Sequence, residues 1–194
     1  GENRPSSWTE VLRNDQFKET LVEFSVQSWE DNGLVSILKE KTLYANGGDV
    51  CYSFKIRDGR MVKNVEPFLC CTHKEADSRM VYHLKSISAP NTVVLRTADT
   101  DILVIVLGCF SSLDQEVNPW LEVGLYSKNT LRYKSVNLLS MKLGDVFCRS
   151  LPAYHACTGC DYTAAFSRKG KVQPFKLLEK NRNIQDLFGE LGQY

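Results

Sequence analysis

Residues 97–108 read Thr-Ala-Asp-Thr-Asp-Ile-Leu-Val-Ile-Val-Leu-Gly, and this stretch decides how the rest of the sequence is interpreted. The β-rich apolar run Thr92–Leu95 precedes it, and Asp99 and Asp101 lie two positions apart before the apolar run Ile102–Leu107. The pattern predicts a strand that ends at two carboxylates and is followed by a helix. Adjacent like charges repel each other unless a cation lies between them, and the carboxyl ends of strands in an open α/β sheet are where ligands bind. Because only oxygen ligands are offered, Mg²⁺ or Mn²⁺ is the expected ion.

The composition predicts one domain, or one domain with small appendages, in a chain of 194 residues. Hydrophobic residues make up 43% of the chain, which is enough for a sizeable core, and the formal net charge is only +1. Any nucleic-acid site must therefore be a local basic patch. We find no bilayer-length apolar run and no signal peptide. Seven cysteines, an odd number, favour reduced thiols. These features predict an intracellular protein, nuclear or cytoplasmic, with no membrane partner.

The order of elements predicts an α/β fold. Residues 1–40 form an N-terminal helical segment, and residues 41–194 form the main domain. In its middle, strands alternate with helices, which predicts a central, mostly parallel sheet with helices on both faces. Two hairpins are additions to that sheet. They pair Val50–Ile56 with Met61–Val65 and Trp120–Tyr126 with Thr130–Val136. The predicted helices are His73–Ser86, Asp101–Gly108, Asn137–Gly144, Asp145–Ser150, Val172–Lys180 and Ile184–Leu191.

Acidic residues occupy three places where a strand is expected to end or a helix to start. They are Glu75 with Asp77, Asp99 with Asp101, and Asp161. If these five carboxylates converge at one edge of a sheet, they would hold one or two metal ions, and two ions can activate water and stabilise the leaving oxygen of a phosphodiester. Structural roles stay open for each. Glu75 and Asp77 would complement a helix dipole, and Asp101 or Asp161 would serve as a helix N-cap.

The order of these acidic motifs resembles a known family. Glu-Ala-Asp-Ser-Arg-Met at 75–80, Ala-Asp-Thr-Asp-Ile-Leu-Val at 98–104 and Gly-Cys-Asp-Tyr at 159–162 are similar to motifs of the flap-endonuclease (XPG-like) branch of PIN-domain nucleases. The phrase His-Ala-x-Thr-Gly-Cys-Asp at 155–161 also resembles uncharacterised PIN-like proteins of animal mobile-element type.

The resemblance implies a PIN-like fold and an endo- or exonuclease that depends on one or two Mg²⁺ or Mn²⁺ ions. It implies that Glu75, Asp77, Asp99, Asp101 and Asp161 bind metal and carry catalysis. It also implies a C-terminal helix-turn-helix-type element over 161–191 that binds nucleic acid, DNA in preference to RNA. The family has a further aspartate on a first strand, and no such strand precedes Thr42 here. The alternative is therefore a catalytically degenerate nucleic-acid-binding or scaffold module.

Basic residues follow the last acidic motif. Arg168, Lys169, Lys171 and Lys176 are predicted to contact phosphates, and Arg79 is predicted either to pair with Glu75 or to meet substrate phosphate. The alternative for the lysines is a solvated helix surface.

His155 is predicted to orient an acid or a metal-bound water. Together with Cys157 and Cys160, and with Cys70, Cys71 and His73 elsewhere, it also allows a zinc site, although buried thiols are the preferred interpretation.

Overall fold

The computed structural model describes residues 7–73, 75–88, 90–97, 99–160, 163–164 and 170–191. The chain divides into two compact units, Gly1–Lys74 and Glu75–Tyr194. The sequence analysis placed a domain boundary at residue 40, whereas the compact units divide at residue 74. The nuclease-domain limits 41–194 stay a prediction.

The first unit packs short helices with an antiparallel meander. Its elements are α1 (Trp8–Val11), α2 (Asp15–Ser28), a 3₁₀ turn (Asn32–Leu34), α3 (Val35–Leu38), β1 (Leu43–Gly47), β2 (Val50–Arg57), β3 (Arg60–Val65) and a 3₁₀ turn (Pro67–Leu69). The predicted hairpin of β2 and β3 is confirmed, since the two strands pair antiparallel from Tyr52–Val65 to Arg57–Arg60. Gly59, at a φ of +73°, makes the tight turn between them. The core cluster of this unit is small, with Val26, Leu38 and Phe54 as its buried residues.

The second unit contains one mixed sheet and most of the helices. Its elements are α4 (Ala76–Lys85), β4 (Asn91–Arg96), α5 (Thr100–Gly108), a 3₁₀ turn (Phe110–Ser112), β5 (Val117–Val123), a 3₁₀ turn (Tyr126–Lys128), β6 (Arg132–Ser135), α6 (Val136–Leu143), α7 (Asp145–Thr158), α8 (Val172–Lys180) and α9 (Arg182–Leu191). The strand order is β4-β5-β6. β4 and β5 are parallel, with α5 as their crossover, and β5 pairs antiparallel with β6. The predicted hairpin in this region is therefore confirmed.

The predicted PIN-like central sheet is wrong. The described part of the chain has two three-stranded sheets, one antiparallel and one mixed, and β4–β5 is its one parallel pair. The physical reason is that tight turns connect β1, β2 and β3, so these strands pair with one another within the first unit. The described residues do not cover both faces of β4 with helices either. On β4, Val93 and Leu95 pack against the core, while Thr92, Val94 and Arg96 on the opposite face are exposed.

The residues of helix α5 are apolar around nearly its whole circumference, which suits its place at the centre of the second unit. Ile102, Val106 and Leu107 are buried in one cluster with residues of β5 and α7. The predicted helix from Asp101 to Gly108 is confirmed, and it begins one residue earlier. The segments Asp145–Ser150 and Leu151–Cys157 form one continuous helix, α7, with Pro152 inside it.

The C-terminal part of the chain contains α8 and α9 at the positions predicted for two helices. Asn181 accepts a hydrogen bond from the Ile184 amide (3.3 Å) near the start of α9. Residues 161–162 and 165–169 of the predicted helix-turn-helix-type element lie outside the described residues. Across the ranges that the structure describes, no helix has both the length and the apolar composition that crossing a bilayer requires.

Candidate active site

The end of β4 is shaped by hydrogen bonds around Asp99. The Thr97 amide still donates to the Glu122 carbonyl of β5 (3.2 Å), which makes Thr97 the last residue tied to the sheet. The Asp99 amide donates to the Thr97 hydroxyl (2.9 Å). The Asp99 carboxylate Oδ1 accepts from the Asp101 amide, also at 2.9 Å. Asp99 is therefore the N-cap of α5, a role the sequence analysis offered to Asp101.

Asp101 contacts His155, 54 positions later in the chain. Its Oδ1 lies 2.8 Å from His155 Nε2, and the side chains of Asp101 and His155 are only 17% and 18% exposed. An ionised carboxylate can only accept hydrogen bonds, so Nε2 is the protonated nitrogen while Asp101 is ionised. The predicted role of His155 in orienting an acid requires such a contact. The role itself stays a prediction.

The two helices that carry this pair give it a structural explanation as well. Asp101 lies in the first turn of α5, and His155 lies in the last turn of α7. A negative group is favoured at a helix N-terminus and a positive group at a C-terminus. The contact therefore ties two oppositely polarised helix ends together, whatever its chemical role.

Glu75, Asp77 and Arg79 lie at the start of α4. Glu75 is the exposed N-cap residue, and its carbonyl, not its carboxylate, accepts from the Arg79 amide (3.1 Å) and the Ser78 hydroxyl (3.0 Å). Asp77 and Arg79 are half-buried. Helix α4 shares the core of α5 through Val81 and Leu84.

The predicted five-acid cluster is not assembled by the residues that can be located. Among these, no three His, Cys, Asp or Glu side chains stand close enough together to hold a metal ion. Glu75, Asp77, Asp99 and Asp101 therefore supply no three-ligand group by themselves. Asp161 lies outside the described residues. The metal-binding and catalytic roles of all five acids stay predictions.

A cavity opens beside the Asp101–His155 pair, between α5, α7 and α8. Its volume is about 520 Å³. Apolar side chains supply most of its lining, and two lysines, a glutamate and His155 supply the charged or titratable part. The lining residues are Thr100, Val104, Leu151, Tyr154, His155, Lys171, Val172, Phe175, Lys176 and Glu179. Lys171 and Lys176, two of the predicted phosphate contacts, thus lie at this cavity, while Arg168 and Lys169 lie outside the described residues.

Tyr154 fixes one wall of the cavity. Its hydroxyl donates to the Lys171 carbonyl at 2.6 Å, which anchors the start of α8 on α7. Burial raises the pKa of the Tyr154 phenol above its ordinary value of 10.0, so the group stays a protonated donor at neutral pH. The position of Lys171 at the cavity is therefore set by a partly buried hydrogen bond.

No family model, curated protein or solved structure matches this chain. The resemblance to flap-endonuclease-type nucleases therefore depends on the motifs in the sequence alone, and its functional content stays a prediction.

The alternative zinc site is not formed by the described cysteines and histidines. The seven cysteines are reduced thiols, in two separate sets along the chain. Cys70, Cys71 and His73 belong to the first unit. In the second unit His155 Nε2 contacts Asp101, Cys157 is exposed, and Cys160 Sγ lies 3.2 Å from the Thr163 hydroxyl.

The sequence analysis missed the aromatic and apolar residues of the cavity. Val104, Tyr154 and Phe175 come from three helices that are far apart in sequence, and each has the pattern of an ordinary core residue. It also missed Thr97, whose position two residues before Asp99 is a recognisable signal, because threonine hydroxyls commonly bond a backbone amide two residues on.

Proposed function

We propose that this protein is a metal-dependent nuclease that hydrolyses phosphodiester bonds of DNA or RNA, with Asp99 and Asp101 as its central acids. One observation carries the proposal. The Asp101 carboxylate is held at 2.8 Å by His155, beside Asp99, at the point where β4 ends and α5 begins. This is the edge of a βαβ unit where ligands bind in α/β proteins. Neither Asp99 nor Asp101 is needed at this position to bury apolar surface.

The two carboxylates suit a magnesium-type ion, but they supply only part of its ligands. Asp99 and Asp101 offer hard oxygen ligands, and each uses its Oδ1 for a hydrogen bond. Mg²⁺ is often held by only one or two carboxylates, with waters and substrate phosphates completing its shell. The two acids therefore suit one Mg²⁺ or Mn²⁺ ion. The described residues add no third ligand, and we propose Asp161, which follows Gly159 and Cys160, as the next one.

The chain's own residues supply positioning and charge. His155 keeps the Asp101 carboxylate in one orientation, because both side chains are largely buried. Lys171 and Lys176 place two positive charges at the neighbouring cavity, where they would attract the phosphodiester backbone. A bound Mg²⁺ or Mn²⁺ would supply water activation and neutralise charge on the phosphate.

Asp99→Asn is the sharpest test, because it separates chemistry from helix capping. Asparagine caps a helix as well as aspartate does, so α5 should remain intact while the negative charge is lost. A residue that only orients a metal ligand contributes about 10–100-fold to activity. We therefore expect cleavage of labelled single-stranded and duplex oligonucleotides to fall by more than about 100-fold in Mg²⁺ or Mn²⁺.

Two controls make this result decisive. The intact protein in EDTA should show no cleavage, and Asp114→Asn, an exposed acid in the same unit, should cleave like the unaltered protein. Unchanged cleavage by Asp99→Asn would refute the proposal, and so would the absence of cleavage by the intact protein with either ion.

The second candidate is a nucleic-acid-binding module without catalysis. The capping role of Asp99 and the tie between Asp101 and His155 favour it, because both acids then have structural duties that need no metal. In that case the protein binds oligonucleotides in EDTA, Mg²⁺ is not required for binding, and no strand is cut.

A further inference from the structure

We propose that the cavity between α5, α7 and α8 binds one nucleobase of a single-stranded nucleic acid, with the neighbouring phosphate at Lys171. This inference rests on the proposed function, because both take nucleic acid as the ligand. It adds the form of the substrate, a strand with an unpaired base, and a set of residues that recognise it.

The size and lining of the cavity suit a flat apolar ring. A volume of about 520 Å³ lies in the usual range for small-molecule sites, about 300–1,000 Å³. Leu151 and Tyr154 are each only 6% exposed and form a firm floor. Phe175 is 37% exposed, so its ring borders both the cavity and solvent. Aromatic side chains of this kind are the platforms on which single-stranded nucleic acids stack their bases.

The aromatic wall is held in place before any ligand arrives. The Phe175 ring meets Phe147 edge-on with centroids 5.6 Å apart, and it meets Tyr154 at 5.9 Å. Tyr154 in turn contacts Phe188 at 6.1 Å. Such edge-to-face pairs are favourable beyond the area they bury. A base that enters the cavity therefore meets a preorganised surface, which reduces the entropy lost on binding.

The charges around the cavity match the two ends of a nucleotide. Lys171 and Lys176 provide cations, and Glu179, three residues after Lys176, provides an anion on the same helix. Phosphate is therefore favoured at Lys171, away from Glu179, whose carboxylate can accept from an exocyclic amino group of a base. His155 also lines the cavity and contacts Asp101, so a base held there brings its phosphodiester next to the proposed acids.

The base must be unpaired to enter. In a duplex its faces are stacked and its edge is paired, and extrusion requires unstacking energy. A purely apolar ligand, such as a peptide side chain, would make no use of the two lysines. The combination of an aromatic wall with cations at one end therefore points to an unpaired nucleotide.

The test compares two short labelled DNAs of equal length and charge, one intact and one with abasic residues throughout. Binding to the full chain is measured by fluorescence anisotropy in EDTA, so that cleavage plays no part. We expect the intact strand to bind about fivefold or more tightly than the abasic strand, because stacking on a protein aromatic contributes at least that much per base. Phe175→Ala should remove this preference and leave abasic binding unchanged, whereas Lys171→Ala should weaken both strands alike.

Matched variants keep the result interpretable. Leu177→Ala, on the same helix, exposed by 58% and absent from the cavity lining, should behave like the unaltered protein. If Phe175→Ala does not fold, Thr100→Phe replaces it, because Thr100 is an exposed residue of the rim and a larger side chain there should fill the cavity. Equal affinity for the two strands, or a preference that survives Phe175→Ala or Thr100→Phe, would overturn the inference.

The two proposals fail separately. Base-selective binding without Mg²⁺-dependent cleavage refutes the nuclease proposal and leaves the base site standing. Cleavage by a protein that binds intact and abasic strands equally refutes the base site alone.

Discussion

At the scale of single residues, Asp99 and Asp101 have different duties although they are two positions apart. Asp99 is exposed and caps α5, whereas Asp101 is largely buried and meets His155. Replacing Asp99 with asparagine preserves its structural duty. No equally mild replacement exists for Asp101, because an amide at that position also changes its hydrogen bond to the histidine. The contribution of this pair to stability is therefore measured most clearly by replacing His155.

His155→Ala should lower the free energy of unfolding by about 1.5–3 kcal/mol, the usual contribution of a hydrogen bond to a charged group. The reason is that the Asp101 carboxylate, 17% exposed, loses the partner at 2.8 Å. Urea denaturation followed by circular dichroism measures this change. Asp186→Ala is the control, because the ion pair of Arg182 and Asp186 on α9 is half-exposed or more and should contribute about 0.5 kcal/mol or less. Equal effects of the two substitutions would contradict a special role for the buried pair.

The sequence singled out Asp99, Asp101 and His155 but could not show which of them touch. The spacing of Asp99 and Asp101 after an apolar strand is a local pattern, and so is the position of His155 before a glycine turn. Their contact spans 54 positions and depends on how α5 crosses α7, which no local pattern encodes. The local pattern offers the N-cap role to Asp101 as one alternative, whereas the structure gives it to Asp99, for a related reason. A helix start moved by one residue changes which side chain faces the free amides.

At the scale of elements, the crossing of α5 and α7 is the contact on which the site depends. Gly108, at the end of α5, packs against Pro152 inside α7, and a Cβ atom built on Gly108 would overlap the Pro152 ring, with Cδ only 2.8 Å away. The proline side chain is rigid and the α7 backbone lies just behind it, so neither can move easily. This close approach lets α7 bring His155 to the start of α5.

Gly108→Ala should therefore destabilise the protein by about 1–3 kcal/mol, the usual effect of overpacking a core. Gly189→Ala is the matched control, because Gly189 lies within α9 and has no atom within 4 Å of its Cβ position. Alanine is the better helix former, so this second change should stabilise by about 0.5–1 kcal/mol. Thermal and urea unfolding of both variants measures whether each substitution raises or lowers the stability. Destabilisation by Gly189→Ala, or none by Gly108→Ala, would contradict the packing described for these helices.

The same scale shows where the fold could be predicted. Tight turns such as Asp58-Gly59, flanked by alternating residues, identified the β2–β3 hairpin correctly. The apolar run after Asp101 identified α5. The prediction of a large central sheet was wrong because local sequence patterns do not encode the order of strands in a sheet. In the described residues β4 has one parallel neighbour, β5. Its residues Thr92, Val94 and Arg96 are exposed, but their alternation with Val93 and Leu95 is ordinary for any strand and does not reveal this in the sequence.

At the scale of the whole molecule, the two compact units have very different cores. In the first, the core cluster of the described residues has three buried members, namely Val26, Leu38 and Phe54. In the second, fifteen described residues form one buried cluster, and all but Leu113 come from β4, β5 and helices α4 to α8. Apolar burial is the dominant favourable term in folding. The second unit should therefore fold by its own interactions, and all the described residues of the two proposed sites lie in it.

Residues 75–194 expressed alone should therefore give a folded protein that keeps the activity or binding of the full chain. Its amide spectrum by two-dimensional NMR should overlay on that of the full chain for β4, α5 and α7, because the buried residues of the cluster around Ile102, Val106 and Leu121 all belong to the second unit. The affinity for intact single strands should change by less than about twofold, since Lys171, Phe175 and His155 all remain. Residues 1–74 alone serve as the comparison, and their smaller core should unfold at a lower urea concentration. A collapsed amide spectrum for residues 75–194 would show that the first unit is required to complete the fold on which both proposed sites depend.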